Sequence, residues 1–181
     1  EKGDGSVKFK YISQSVFEVF DYGEYKGIDV NNREVVDIGA NVGDSAIYFA
    51  LNGAKKVVGI EPLPSIYTKA LENIKLNHLE DKIIMINAAL GSRRNKIKVP
   101  CDISTFGSAV FSTMESHGDC EVPVITLSDV LEKISDSYLL KMDCEGCEAD
   151  VILNDYEHVK KFEKLIIELH KKYIGAKYKK I

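Results

Sequence analysis

A chain of 181 residues has the size of one α/β domain and can bury roughly two-thirds of its unfolded surface without disulfide staples. With 45% hydrophobic and 29% charged residues, and no apolar run approaching ~18 residues, the composition excludes a membrane span. A formal charge of -4 gives no general attraction to phosphate backbones, and the one basic excess, Lys171, Lys172, Lys177, Lys179 and Lys180, reads as a solvated end.

Residues 1–34 open on an alternating stretch, Val7, Phe9 and Tyr11 against Lys8 and Lys10, and continue without a clear period, which predicts a short strand-rich cap. Short, β-branched apolar runs follow at Val35 to Ile38, Val57 to Ile60, Ile83 to Ile86, Tyr138 to Met142 and Leu165 to Leu169, and these read as buried strands. Between the first three lie helical patterns: Ser45 to Leu51, ended by Asn52-Gly53, and a longer one with Ile66, Tyr67, Ala70, Leu71 and Ile74 on one face and Pro64 in its first turn. Such alternation specifies a mostly parallel, doubly wound α/β sheet whose ligands sit beyond the carboxyl ends of the strands. The stretch from Gly91 to Pro123, with Phe106 and Phe111 as aromatic points, lacks a helix period and reads as a lid-like insertion or small hairpin over those ends. A single domain over 1–181 is expected. Nothing at the amino terminus resembles a signal peptide, and four cysteines in such a chain fit a reducing cytoplasm, where pairing is the exception.

The first strand runs into Asp37-x-Gly39-x-Asn41-x-Gly43-Asp44 and then a helix, a glycine turn that lets backbone approach a ligand closely and offers a helix start to an anion. The dinucleotide fingerprint requires glycine where Asn41 and Asp44 stand, and no Gly-Lys-Ser/Thr of a phosphate loop follows. Asp37 and Asp44 would repel a pyrophosphate but suit a cationic ligand. S-adenosylmethionine, with a sulfonium and an ammonium beside one carboxylate, matches that polarity. Glu61 ends the second strand, where an acid accepts both hydroxyls of a ribose. Pro62 and Leu63 on one side and Asn87, Ala88 and Ala89 on the other would wall the adenine. Each also has a plain reading, Glu61-Pro62 as a helix opening and Asn87 as a strand cap.

From about Val35 to His170 the sequence resembles the FkbM family of methyltransferases. The resemblance rests on Asp37 to Gly43, Glu61-Pro62, the pair Asn73 and Asn77, Thr126-Leu127, Lys141-Met142-Asp143-Cys144-Glu145-Gly146-Cys147-Glu148 and Glu168-Leu169-His170. It implies a Rossmann-like class I methyltransferase fold and O-methylation of a small molecule, often a sugar or polyketide-type hydroxyl. Such folds commonly finish with a further helix and a strand hairpin, and only eleven residues follow His170, so part of that hairpin is expected to be missing.

Methyl transfer to a poorly acidic hydroxyl calls for a base or a metal near the methyl group. Asp143, Glu145 and His170 are the candidate catalytic residues. Asp143 has an alternative as an ion-pair partner of Lys141 or a helix cap, and His170 as a hydrogen-bonded surface residue. Glu145 and Glu148 could join Asp143 in an oxygen-rich site suited to magnesium, though no metal site is predicted. Cys144 and Cys147 form a Cys-x-x-Cys but read as ordinary buried thiols, with neither zinc-site spacing nor a thioredoxin-like order of elements. The acidic balance, and the absence of an Asn-Pro-Pro-aromatic block after the fourth strand, argue against nucleic acid as acceptor. A noncatalytic S-adenosylmethionine-binding module and a nicotinamide-dependent oxidoreductase remain as competing readings.

Overall fold

A computed structural model describes residues 6–104 and 116–175. Phe106 and Phe111 of the expected lid, and Lys177, Lys179 and Lys180 of the basic end, lie outside these residues.

The central sheet has five strands, β1 (Glu34–Ile38), β2 (Lys56–Ile60), β3 (Ile83–Ile86), β7 (Leu139–Met142) and β8 (Lys164–Ile167), in the order β3-β2-β1-β7-β8 and parallel at every pairing. Because side chains alternate across a strand, Val35, Val57 and Leu139 enter one core with Phe49, Ile47 and Ile74, while Val36, Val58 and Leu140 enter a second with Val151 and Phe162. Both faces are thereby covered, which is why the middle strands read as unbroken apolar runs. The chain winds outward from β1 through β2 and β3, then returns to lay β7 and β8 on the other side. The reversal falls between β1 and β7, and the crevice beyond their carboxyl ends is the natural ligand position. This is the mostly parallel, doubly wound α/β arrangement of a Rossmann-like sheet. No antiparallel strand follows β8 among the described residues.

The helices α2 (Asp44–Leu51) and α3 (Pro64–Leu76) stand where the periodicity put them, with Pro64 in the first turn of α3. Ile66, Ala70 and Ile74 are buried, whereas Leu71, expected on that face, is exposed.

The strand-rich cap is a misreading. Among the described residues before Glu34 there is no strand; they contain the helix α1 (Gln14–Phe20), and the alternating stretch forms no regular element. Its backbone is satisfied instead by the side chains of Asn73 on α3 and of Asn77, the C-cap of that helix. Asn77 accepts the Lys8 N–H and donates to the Lys8 carbonyl. Asn73 accepts the Lys10 and Tyr11 N–H groups and donates to the carbonyls of Tyr11 and Val42. The cap is thus tied both to α3 and to the glycine turn, and α1 is brought to the carboxyl end of the sheet.

The insertion after β3 folds as a second, three-stranded sheet. β4 (Ala89–Leu90) pairs parallel with β6 (Cys120–Ile125), and β6 pairs antiparallel with β5 (Asn95–Val99). Val99 and Val122 pack with Val42 of the turn and with Leu63 and Ile66, so this hairpin lies against the glycine turn. The cysteine expectation is overturned: Cys101 pairs with Cys120 and Cys144 with Cys147, leaving no free thiol. The remaining helices are α4 (Leu127–Leu131), with a Thr126–Asp129 capping box, α5 (Cys147–Asn154), α6 (Tyr156–Val159) and α7 (Lys171–Ile174). No helix of the described residues is long and apolar enough to cross a membrane.

Candidate active site

The glycine turn is shaped by contact with the end of β7. Gly39 has φ +77°, and a Cβ there would lie 1.8 Å from the Asp143 carbonyl oxygen, so only glycine fits between the two strand ends. Gly43, also at positive φ, forms the N-cap of α2, and Asn41 takes a left-handed conformation between them. The N–H groups of Gly39 and Ala40 donate to the Ile60 carbonyl and that of Asn41 to Glu61 Oε2.

Asp37, expected to face cofactor cations, is turned to the protein instead. The strand register sets it opposite Lys141, and the two charges lie 3.1 Å apart with both side chains buried. Its other oxygen accepts the Ser45 hydroxyl at 2.6 Å. Lys141 also donates to the Gly39 carbonyl, which makes the pair a clamp under the turn. Burial opposes the charge on Lys141, but Asp37 and then Asp143 outweigh it, and the ammonium is held well above its ordinary value. Asp44 is 2% exposed; Ser15 hydrogen-bonds its carboxyl, while its Oδ1 has no hydrogen-bond partner among the described residues. Burial pushes its carboxyl up to about 7.

Glu61 ends β2 almost fully buried, accepting the N–H groups of Asn41 and Leu63, and burial raises its carboxyl to about 7. Asn87 donates to the carbonyls of Glu61 and Pro62 and so fixes the loop that carries them; it acts on the site through that loop. Pro62 is partly exposed beside it. Ala88, expected as an adenine wall, is fully buried and packs into the core with Ile60 and Leu140.

Asp143, Glu145 and His170 come together at the ends of β7 and β8. His170 Nδ1 lies 3.0 Å from Glu148 Oε1, and its Nε2 faces Asp143 and Glu145 at 3.5 Å each and Glu168 at 3.6 Å. The Glu148 hydrogen bond foremost, with the surrounding carboxylates, raises the imidazole to about 9 against the burial that opposes it. Burial lifts Glu145 to about 7, with His170 pulling the other way. Burial, then the Asp143 carboxylate, raises Glu168. Glu148 is fully buried and accepts the Cys144 and Gly146 N–H groups. It is therefore committed beneath the cluster and is not one of a set with Asp143 and Glu145.

A cavity of about 300 Å³ joins the glycine turn to this cluster, lined by Gly39, Asn41, Asp44, Lys141, Asp143, Glu145, Glu168 and His170, and roofed by Gln14, Ser15 and Glu18 of α1 with Glu24 and Tyr25; Glu61, Pro62, Asn87 and Ala88 are not in its lining. Asp44, expected to suit a cationic ligand, does line the cavity, whereas Lys141 and Glu168 were not among the candidate site residues. Glu168-x-His170 carried the signal, since alternate residues at a strand end share a face. The roof had none, because α1 lacks a helical period. A larger cavity of about 430 Å³ lies away from the candidates, between the insertion and α5.

A model of the methyltransferase FkbM domain matches residues 37–178. A protein of Sulfolobus islandicus rod-shaped virus 1, named uncharacterized protein 158B, is 27% identical over 146 residues, 81% of this chain and 66% of its own. The ribosomal protein L11 methyltransferase of Carboxydothermus hydrogenoformans is 46% identical over 54 residues, 30% of this chain and 18% of its own. The solved PRMT6–SAH structure aligns with a TM-score of 0.43 at 15% identity, covering 78% of this chain and 38% of that one. The chain thus spans just under two-thirds of the viral relative's length and far less of the other two. With its turn, its Glu61 strand end and its Lys141-to-Glu148 block all inside the matched region, the chain belongs to the FkbM methyltransferase domain family.

Proposed function

We propose that the chain transfers a methyl group from S-adenosylmethionine to a hydroxyl oxygen of a small molecule of sugar or polyketide type. The observation that carries this reading is the single cavity in which the glycine turn and the Asp143–Glu145–His170 cluster meet. The residues fit the cofactor. An ionised carboxylate has about four acceptor positions, and two backbone N–H groups occupy part of Glu61, leaving room for two ribose hydroxyls. Asp44 offers an unpartnered oxygen to the cationic end, beside the start of α2 for the carboxylate. Asp37 serves by clamping the turn through Lys141.

When bound, S-adenosylmethionine supplies an electrophilic methyl group; the chain must align the acceptor and take its proton. Glu145, near 7, has the affinity a general base needs at neutral pH. His170, at about 9, is an imidazolium at that pH and holds the carboxylates in place. Asp143 orients the acceptor between Lys141 and His170.

Cofactor binding is tested by melting the chain with S-adenosylhomocysteine. At about a hundred times the dissociation constant, stabilisation of about 2.7 kcal/mol is expected. No shift with S-adenosylhomocysteine and a shift with NAD would sink the reading. Transfer is tested with a labelled cofactor and a panel of sugar and polyketide-type alcohols. Glu145→Gln should keep the melting shift and lose about 10²- to 10⁴-fold in rate, whereas Gly43→Val should lose both.

A further inference from the structure

Three carboxylates ring the His170 Nε2, and none bonds it. Asp143 Oδ1 and Glu145 Oε1 stand at 3.5 Å and Glu168 Oε1 at 3.6 Å. These separations exceed the 2.7 to ~3.2 Å of an N–H···O hydrogen bond. They do match the spacing of ligand atoms around a shared ion, since ligands each about 2.1 Å from a metal lie roughly 3–4 Å from one another. The donor atoms of Asp143, Glu168 and His170 all fall within 4.8 Å of one another.

We propose that Asp143, Glu168 and His170, with the imidazole deprotonated on binding, form a site for one divalent transition-metal ion in preference to magnesium. The ring orientation needed for an Nε2 ligand is already set. Nδ1 faces Glu148, which is fully buried and pinned by two backbone N–H groups, the arrangement by which an outer carboxylate fixes the tautomer and direction of a ligating histidine. Asp143 divides its oxygens, Oδ2 toward Lys141 at 3.7 Å and Oδ1 toward the site.

A second observation, apart from the cluster, points to a cationic occupant of the same cavity. Asp44 lines it, is 2% exposed, and has an Oδ1 without a hydrogen-bond partner among the described residues. Six carboxylates line the cavity against one ammonium and one imidazole, so a dication lowers the charge imbalance. The donor chemistry selects among dications. Magnesium favours oxygen-only shells that keep several waters, whereas an imidazole in the donor set favours a transition metal such as iron or zinc, for which Mn²⁺ serves as the paramagnetic probe.

The site is argued from its own geometry; where the methyl-transfer reading also holds, the ion stands beside the acceptor oxygen and favours its deprotonation. The test is titration of the chelator-treated full chain with Mn²⁺, followed by electron paramagnetic resonance and calorimetry, with S-adenosylhomocysteine melting run in parallel. One Mn²⁺ per chain is expected, retained against about a hundredfold excess of Mg²⁺. Glu168→Gln and His170→Gln should each weaken it at least about tenfold with unchanged circular dichroism, and Glu80→Gln should not. Absence of saturable binding, binding indifferent to Glu168→Gln and His170→Gln, or equal affinity for Mg²⁺ overturns the proposal. A melting shift with S-adenosylhomocysteine but no Mn²⁺ binding overturns the metal site alone. Mn²⁺ binding without that shift supports the site and removes the methyltransferase reading.

Discussion

His170 Nδ1 lies 3.0 Å from Oε1 of Glu148, a carboxylate with no solvent exposure that also accepts the N–H groups of Cys144 and Gly146. One acid at the start of α5 thereby fixes both the loop carrying Glu145 and the ring at the end of β8. Glu148→Gln keeps an acceptor for one backbone N–H but removes the charge facing the ring. The imidazole, raised to about 9 chiefly by that hydrogen bond, should fall toward its ordinary value of 6.5. An NMR titration of the His170 ring protons in chelator-treated protein reads this directly. An unchanged midpoint would mean that Asp143, Glu145 and Glu168 hold the proton and Glu148 does not.

The ligand-free protein should be most stable near pH ~5. Asp44 and Glu61 titrate near 7 in the fold against 3.8 and 4.5 ordinarily, and Glu145 rises likewise. Native protein therefore holds more protons than the unfolded chain over that interval, and stability falls as pH rises through it. His170 has the same sign at higher pH: its stabilisation is complete below 6.5 and lost as pH rises through about 9. Asp129 beside Arg94 and Asp136 beside Arg33 are held low, so their contribution is lost only as pH falls beneath the ordinary carboxylate range. A thermal midpoint at least about 4 °C lower at pH 8 than at pH 5 is expected, given 2–4 °C per kcal/mol at this chain length. A flat or rising midpoint over that span would show these acids to be ionised at no cost.

The middle strands β1, β2 and β7 were legible because they are buried on both faces, which leaves short β-branched apolar runs too short for helices, whereas β3 and β8 expose Ile84 and Leu165. The turn was legible for a steric reason: Gly39 is compelled by the Asp143 carbonyl. The cap was not. Val7, Phe9 and Tyr11 alternate as a strand would, but the partners of their backbone are the side chains of Asn73 and Asn77, more than sixty residues away. Periodicity reports which side chains are buried and says nothing of what satisfies the backbone. Asp37 was misdirected for a related reason. Its acidity is visible in the sequence, but the register that sets it opposite Lys141 is a property of the β1–β7 pairing. The cysteine pairs escaped because composition speaks to compartment and not to the approach of Cys101 to Cys120 across the hairpin.

Two glycines of the turn should respond differently to alanine. At Gly39 the added Cβ meets backbone at 1.8 Å, a clash that no side-chain rotation relieves, and β1 and β7 must separate. At Gly43 the nearest atoms, those of Ala70, lie at 3.5 Å, so only the left-handed φ of +84° resists. Gly43→Ala should cost about 1–2 kcal/mol and Gly39→Ala more than about 4 kcal/mol, measured by urea denaturation. Equal costs would mean that the two strand ends move apart easily and that Gly39 is not the contact that sets their spacing.

Asp37→Asn tests the clamp beneath the turn. It leaves the Lys141 ammonium buried with Asp143 at 3.7 Å as its remaining carboxylate and with the Gly39 carbonyl. Removing one member of a buried pair costs about 3–5 kcal/mol because the other charge stays desolvated. Replacing both, as Asp37→Asn with Lys141→Met, removes that charge and should recover most of the loss. Recovery should fall short by about 1 kcal/mol, the worth of the hydrogen bond to Gly39 that methionine cannot make. Urea melts of the two single variants and the double variant measure the coupling. Additive losses would show that Asp37 and Lys141 act independently, and the turn would then owe its shape to Gly39 and Ser45 alone.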